Sequence, residues 1–278
     1  MLPRKLEERA AAIRRIRAFF DARGFVEVET PVRIKAPAPE PHIDCPPSGD
    51  MFLRASPELQ MKKLLAQGMD KIYQLGPCFR LGERGRRHSE EFTMLEWYRK
   101  GEDYRAIMED MKALIGELAG VKEFGVITVK EAYRKFAGYD PFEAFEQDRF
   151  DLDMATKVEP NLRGWTFLTD YPRECASLAK MSGDHAERWE LYHDGLELAN
   201  AFTELCDAEE QRRRFEQARV ERVASGEADY PVDEEFLDWL PMIGSASGVA
   251  LGVDRLIMAL GEENDIAEVR VLEFPPKK

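Results

Sequence analysis

Little in this chain ties it to an oxidised, metal-stapled or membrane setting. Its 278 residues include four cysteines, Cys45, Cys78, Cys175 and Cys206, scattered without the spacing of a zinc site or a disulfide framework. They read as reduced thiols, and no structural zinc is expected. No apolar run is long enough to span a bilayer and no leader pattern opens the chain, so a soluble cytoplasmic protein is expected. Positive charge is in deficit, with 40 Lys and Arg against 53 Asp and Glu and a formal net charge of −13. That balance opposes general binding to a polyanion such as tRNA, although a local basic patch is compatible with it. Repeats and low-complexity tails are missing. So is a convincing Ser-His-Asp or Cys-His constellation, and no enzyme nucleophile is expected.

What is present is 44% hydrophobic residues, enough for a substantial core in a single domain, 1–278. The one compositional break is the proline-rich stretch 36–49, which cannot be a central strand or a helix. Residues 103–119 predict an amphipathic helix, and 121–165 read as a modest insertion. Strands follow around 165–170 and 187–206, and the Glu- and Arg-rich segment 207–224 predicts a solvated helix.

Residues 79–99 carry the densest chemistry. At period two, Phe92, Met94, Glu96 and Tyr98 fall on one side of a strand, and Gln74, Gly76, Cys78 and Arg80 on one side of the strand before it. The loop between them concentrates Arg84, Arg86, Arg87 and His88. A solvated charged hairpin would hold the same residues, but folding does not need so many cations there and a polyphosphate would attract them. Near the end of the chain, residues 247–258 read as a glycine-spaced strand entering a helix. Arg255 lies in the first helical turn, where the helix dipole disfavours a cation, and this points to an anionic partner or to a simple surface arginine. At the start, Leu6, Ile13, Ile16 and Phe20 form an apolar helical stripe leading into residues 24–31.

Together and in this order, the three segments resemble motifs two, three and one of the class II aminoacyl-tRNA synthetases. The resemblance is closest to the lysyl-tRNA synthetase catalytic domain and, within it, to the branch that attaches β-lysine to elongation factor P. It covers nearly the whole chain, weakly at 101–165. It implies an α+β fold, an antiparallel sheet flanked by helices, and a homodimer joined through the first helix. With the motif-one helix expected to begin almost at Met1, no anticodon-binding barrel is expected, and tRNA is not the expected acceptor. The implied reaction is ATP-dependent formation of an aminoacyl-adenylate from lysine or (R)-β-lysine, followed by transfer to a lysine of elongation factor P. A lysyl-adenylate-forming enzyme with another acceptor and a non-catalytic amino-acid sensor are the competing readings.

Residue by residue, the resemblance assigns Arg80 to the α-phosphate, His88 and Arg255 to the outer phosphates and Phe92 to the adenine, with Arg80 and Arg255 as the catalytic cations. Leu198 and Gly252 line the nucleotide pocket. Gly82 stands where the family has a glutamate, and the following Glu83 is the candidate replacement. Ser56, Pro57 and Glu58 match a substrate-binding helix start, with Ser56 at the cap and Pro57 in the first turn; Glu58 alone would also merely complement the helix dipole. Glu96 and Tyr98 match ligands of the side-chain ammonium, and Asn200 and Glu204 the rest of that pocket. With Glu58, Glu96 and Glu204 around one cavity, a diamino acid is the expected substrate. Glu190 and Glu197 match magnesium ligands. The turn at Asp194-Gly195 would set them nearly opposite each other, but alternation then puts Asn200 and Glu204 on the other face unless a bulge lies between 197 and 200. Ala250 replaces the glycine of lysyl-tRNA synthetases; its methyl would narrow the pocket near the substrate α-carbon and so favour a β-amino acid, the alternative being a neutral exchange in a strand.

Overall fold

The computed structural model describes residues 2–270. They form two compact units: 2–100, 206–244 and 252–270 in the first, 101–205 and 245–251 in the second.

The first unit opens with helix α1, Leu2–Asp21. Ile16 and Phe20 are fully buried, whereas Leu6 is 44% exposed, so only the carboxy-terminal half of the predicted stripe is covered. Phe20 stacks on Tyr73 with ring centroids 4.7 Å apart and meets Trp97 edge-on at 5.1 Å. These rings fix α1 against a sheet in which β1, Val26–Glu27, runs parallel to β2, Lys71–Phe79. β3, Glu91–Lys100, pairs antiparallel with β2. The chain between β1 and β2 contains a small three-stranded sheet and helix α2, Glu58–Ala66. The proline-rich stretch supplies only Pro47–Ser48 to that small sheet, at its edge, where a missing N–H costs no ladder bond.

The rest of the proline-rich stretch is clipped by one side chain. Arg222, on the predicted 207–224 helix (found at Ala208–Ala224), is fully buried and donates to the carbonyls of Glu40, Ile43 and Ala228 while pairing with Asp44 and Glu227. Removing a buried cation leaves its acceptors without donors. Arg222→Met is therefore expected to lower stability by about 3–5 kcal/mol. Urea unfolding at constant m-value measures this, and a loss below about 1 kcal/mol would mean that water replaces the clip.

In the second unit, helix α3, Tyr104–Ala119, is capped by the Asp103 carboxylate, which accepts from the Arg105 N–H, and is ended by Gly120 at φ 72°. The main path of its sheet has five strands, β4, Gly125–Thr128; β5, Trp165–Pro172; β6, His185–His193; β7, Leu196–Thr203; and β8, Ala246–Gly252, and the short strand Met181–Ser182 pairs with β6 off that path. The five lie in the order β8-β7-β6-β5-β4. Trp189 is buried at the centre, donating to the Tyr104 carbonyl at 2.7 Å and meeting Phe167 edge-on.

The α+β expectation holds, but the sheet is not purely antiparallel: β1–β2 and β4–β5 are parallel pairs. Parallel neighbours require a long crossover. Within the 121–165 segment, residues 129–164 are that crossover between β4 and β5, packed around Tyr133, whose ring stacks on Phe150 at 4.7 Å and whose hydroxyl donates to the Phe150 carbonyl.

Candidate functional site

In the first unit, the β2–β3 register pairs Gln74 with Glu96, Gly76 with Met94 and Cys78 with Phe92. Directly opposed residues share a face, so the two sets read from period two do lie together. Beyond the last rung, Arg80 donates its N–H to the Glu90 carbonyl, and its guanidinium carbon lies 5.3 Å from the Phe92 ring centroid. The loop between the strands is pinned by Glu90, whose carboxylate accepts from the Gly82 N–H at 2.9 Å and pairs with Arg84. Those donors hold Glu90 below the usual carboxylate range. Gly82 sits at φ 81°, a conformation that disfavours a glutamate at that position, while Glu83 comes within 3.5 Å of Arg80.

The cations of this unit converge. Arg255 Nη2 is 2.6 Å from His88 Nε2, and its Nε donates to the Arg87 carbonyl. Burial, then the charge of Arg255, lowers the His88 pKa, with Arg80 and Arg87 adding to the effect. His88 is thus a neutral imidazole accepting from Arg255, beside a positive field suited to a polyanion. The helix carrying Arg255, Val253–Leu260, begins after Gly252 and is anchored by the next residue along from its start, Asp254. That buried carboxylate accepts from Arg9 at 2.6 Å and from the Thr93 N–H at 2.7 Å. Sequence reasoning missed Asp254, because its partners on α1 and β3 are remote in the chain.

The acidic residues of the first unit are also together. Glu96 is 1% exposed and accepts from Ser56 Oγ at 2.7 Å and from the Tyr98 hydroxyl at 2.6 Å. Burial, then the charge of Glu58, pushes its pKa up to about 7. Ser56 lies one residue earlier than expected: Pro57 is the N-cap of α2, and Ser56 Oγ accepts from the Glu58 N–H. Glu58 already has a cation. Lys62, one turn along α2 and 1% exposed, places Nζ 2.5 Å from its carboxylate. The i,i+4 spacing was visible in the sequence, but burial is what turns the pair into part of the site.

In the second unit, Asp194 and Gly195 form the expected turn, with φ 46° and 75°, and a Cβ on Gly195 would lie 2.8 Å from the Glu159 carbonyl oxygen. The register then departs from expectation. Glu190 lies opposite Asn200, and Glu197 opposite Tyr192, so the two glutamates are not cross-strand partners. The reason is a bulge: Leu191 pairs with Ala199 and Tyr192 with Glu197, which leaves Leu198 as the extra residue. This irregularity falls inside the 197–200 interval where one was needed. It brings Glu190, Glu197 and Asn200 to one face, and Ala250 joins them because it pairs with Asn200 on β8. Glu204, buried at the end of β7, bridges to Ala179 and donates its N–H to the Ala246 carbonyl.

Glu190 is embedded in protein donors that the sequence reading did not include. Arg188 donates to its Oε1, and the Tyr171 and Tyr192 hydroxyls donate to its Oε2, each at 2.6 Å. Burial raises the pKa of both tyrosines, so they remain donors. Arg188, Glu190 and Tyr192 alternate along β6, and that period of two was the available signal.

Residues 2–278 match the family described as tRNA synthetases class II (D, K and N). The chain is 39% identical to the elongation factor P–(R)-beta-lysine ligase of Proteus mirabilis (strain HI4320), over 97% of this chain and 94% of that protein. It is 38% identical to the proteins of the same name from Salmonella paratyphi B (strain ATCC BAA-1250 / SPB7) and Salmonella schwarzengrund (strain CVM19633), over 93% of this chain and 92% of each.

Proposed function

The chain belongs to the family of class II tRNA synthetases (D, K and N), and from that premise we propose that it activates (R)-β-lysine or lysine with ATP and transfers it to a lysine of elongation factor P. The observation that carries this reading is the shared β2–β3 face: a buried carboxylate held by Ser56 and Tyr98 lies on the same face as Phe92, with Arg80 beside the ring.

In the first step the substrate carboxylate attacks the α-phosphorus of ATP, forming the aminoacyl-adenylate and releasing pyrophosphate. In the second, a lysine amine of the acceptor attacks the activated carbonyl and AMP leaves. Arg80 neutralises charge developing on the α-phosphate, Arg255 and His88 hold the outer phosphates, and Phe92 stacks on the adenine, with Glu83 ordering the loop. Gly252 and Leu198 line the nucleotide. By the resemblance, Glu58, Glu96 and Tyr98, together with Ser56 and Pro57, take substrate ammonium groups, and Asn200, Glu204 and Ala250 are assigned further amino-acid contacts.

Glu190 and Glu197 are hard oxygen donors of the kind magnesium takes, and among the described residues Glu190 Oε1 accepts one hydrogen bond, from Arg188. Among the described residues no group of three or more potential metal ligands is found, and Glu190 and Glu197 are the residues that would hold the magnesium ion. When bound, it would offset charge on the triphosphate.

Leu6 remains 44% exposed on α1, and this supports the homodimer through that helix. Among the described residues no helix is long and apolar enough to cross a membrane. We place the reaction in the cytoplasm, where its proposed acceptor works.

The test is pyrophosphate exchange with lysine and with (R)-β-lysine, followed by transfer to elongation factor P and to tRNA. Exchange with both and label on elongation factor P is expected. Label on tRNA instead would indicate a stand-alone synthetase, and no exchange with any amino acid a sensor. Ala250→Gly should shift the ratio of initial rates toward lysine by about three- to tenfold, the scale of one methyl in a pocket. An unchanged ratio would discard the steric account of Ala250.

A further inference from the structure

Arg188 lies outside the set of residues assigned above, yet it reaches two of them. Its side chain is 16% exposed, and its donors go in three directions: Nε to Asn200 Oδ1 at 2.9 Å, Nη2 to Glu190 Oε1 at 2.6 Å and Nη1 to the Cys175 carbonyl at 2.6 Å. The guanidinium also covers the Tyr171 ring at 4.5 Å, and Tyr171 in turn donates to Glu190. A guanidinium has donors and no acceptor, so its contact with Asn200 fixes which end of that amide is which. The Asn200 oxygen faces Arg188, so its NH2 points away from Arg188 and offers donors to a ligand. A donor of that kind suits an oxyanion, a substrate carboxylate or a phosphate oxygen, and not an ammonium group.

We propose that Arg188 is a positioning residue for amino-acid activation: it locks Asn200 as a hydrogen-bond donor toward a substrate oxyanion and ties that donor to Glu190 on the same strand face. The inference rests on the ligase reading for its substrate but on the β6–β7 geometry for the lock itself. A lysine at 188 would keep the charge and lose the planar fork that reaches Asn200 and Glu190 together.

Two measurements on the full chain separate the lock from the reading. The sequence has only three asparagines, Asn161, Asn200 and Asn264, so selective 15N-asparagine labelling gives a short set of side-chain amide signals. The Asn200 pair is assigned by its loss in Asn200→Ala, and it is expected to move in Arg188→Lys and Arg188→Met. An unmoved pair overturns the proposal whatever the activity. The second measurement is a double-mutant cycle in pyrophosphate exchange. Arg188→Met and Asn200→Ala should each lower kcat/KM for the amino acid about tenfold or more, and the double variant should fall no more than about threefold below the worse single. Losses that multiply overturn the proposal.

A rise in KM for the amino acid with KM for ATP held assigns the oxyanion to the carboxylate, and the reverse assigns it to phosphate. If Arg188→Met fails to fold, Arg188→Lys carries both measurements. Moved amide signals in a protein that exchanges with no amino acid would support the lock and count against the ligase reading alone.

Discussion

Arg80→Ala is expected to reduce amino-acid-dependent pyrophosphate exchange by at least about 10³-fold while leaving the protein folded. The prediction follows from how little holds Arg80 within its own unit. Its Nε is buried without a hydrogen-bond partner among the described residues, its nearest carboxylate, Glu83, is 3.5 Å away, and its ring contact with Phe92 is at 5.3 Å. Contacts of this kind contribute little stability, so the cost to folding should stay within about 1 kcal/mol. A donor group kept in place without protein partners is suited to a charge that develops only during reaction. The loss should therefore appear in kcat more than in KM for ATP, since Arg255 and His88 remain to bind the outer phosphates. Arg80→Lys restores a point charge but not a forked donor, and should recover only part of the rate. Exchange within tenfold of wild type in Arg80→Ala would remove Arg80 from the chemistry.

The face that carries Arg80 was legible before the fold because strand alternation is strict: once Glu96 faces the site, Phe92 and Tyr98 must as well, and the register with Gln74 and Cys78 obeys the same rule. The Asp194-Gly195 turn was legible for a similar reason, since two successive positive φ angles favour those residues. The pairing of Glu190 was not. A single extra residue, Leu198, changes every partner beyond it, and turn chemistry says nothing about where the strand yields. The parallel pairs escaped because they depend on crossovers, and 121–165 reads as an insertion until β4 is seen beside β5. Arg188, Lys62 and Asp254 escaped for a further reason. For Arg188 and Lys62 the spacing to a partner was visible but the burial that gives it weight was not, and the partners of Asp254 are remote in the chain. The charge count around Glu58 consequently changes: in the first unit alone, Glu58 and Glu96 face one built-in ammonium, Lys62, so these two carboxylates call for one further cation.

Glu96→Gln is expected to move stability and activity in opposite directions. The Glu96 carboxyl titrates at about 7 rather than 4.5, because it is buried and because Glu58 is close. Between those values the folded protein binds more protons at this group than the unfolded chain does, so its contribution to stability falls as pH rises and the penalty is complete above pH 7. Glutamine carries no such charge and can still engage Ser56 and Tyr98, since a hydroxyl donates or accepts. At pH 8 the variant should be more stable than wild type by on the order of 1–3 kcal/mol, and the difference should shrink toward pH 5. Catalysis should go the other way. The proposed substrate ammonium loses its buried counterion, a loss of several kcal/mol that corresponds to about 10³-fold in kcat/KM for the diamino acid. Wild-type affinity for that substrate should strengthen as pH rises toward 7, by up to about tenfold per unit, because the ammonium binds the ionised carboxylate; the variant should lack that slope. Calorimetric unfolding and substrate titration across pH 5–8 measure both arms. A variant that is less stable at pH 8, or one that turns over the diamino acid within tenfold of wild type, would show that Glu96 serves the fold and not the substrate.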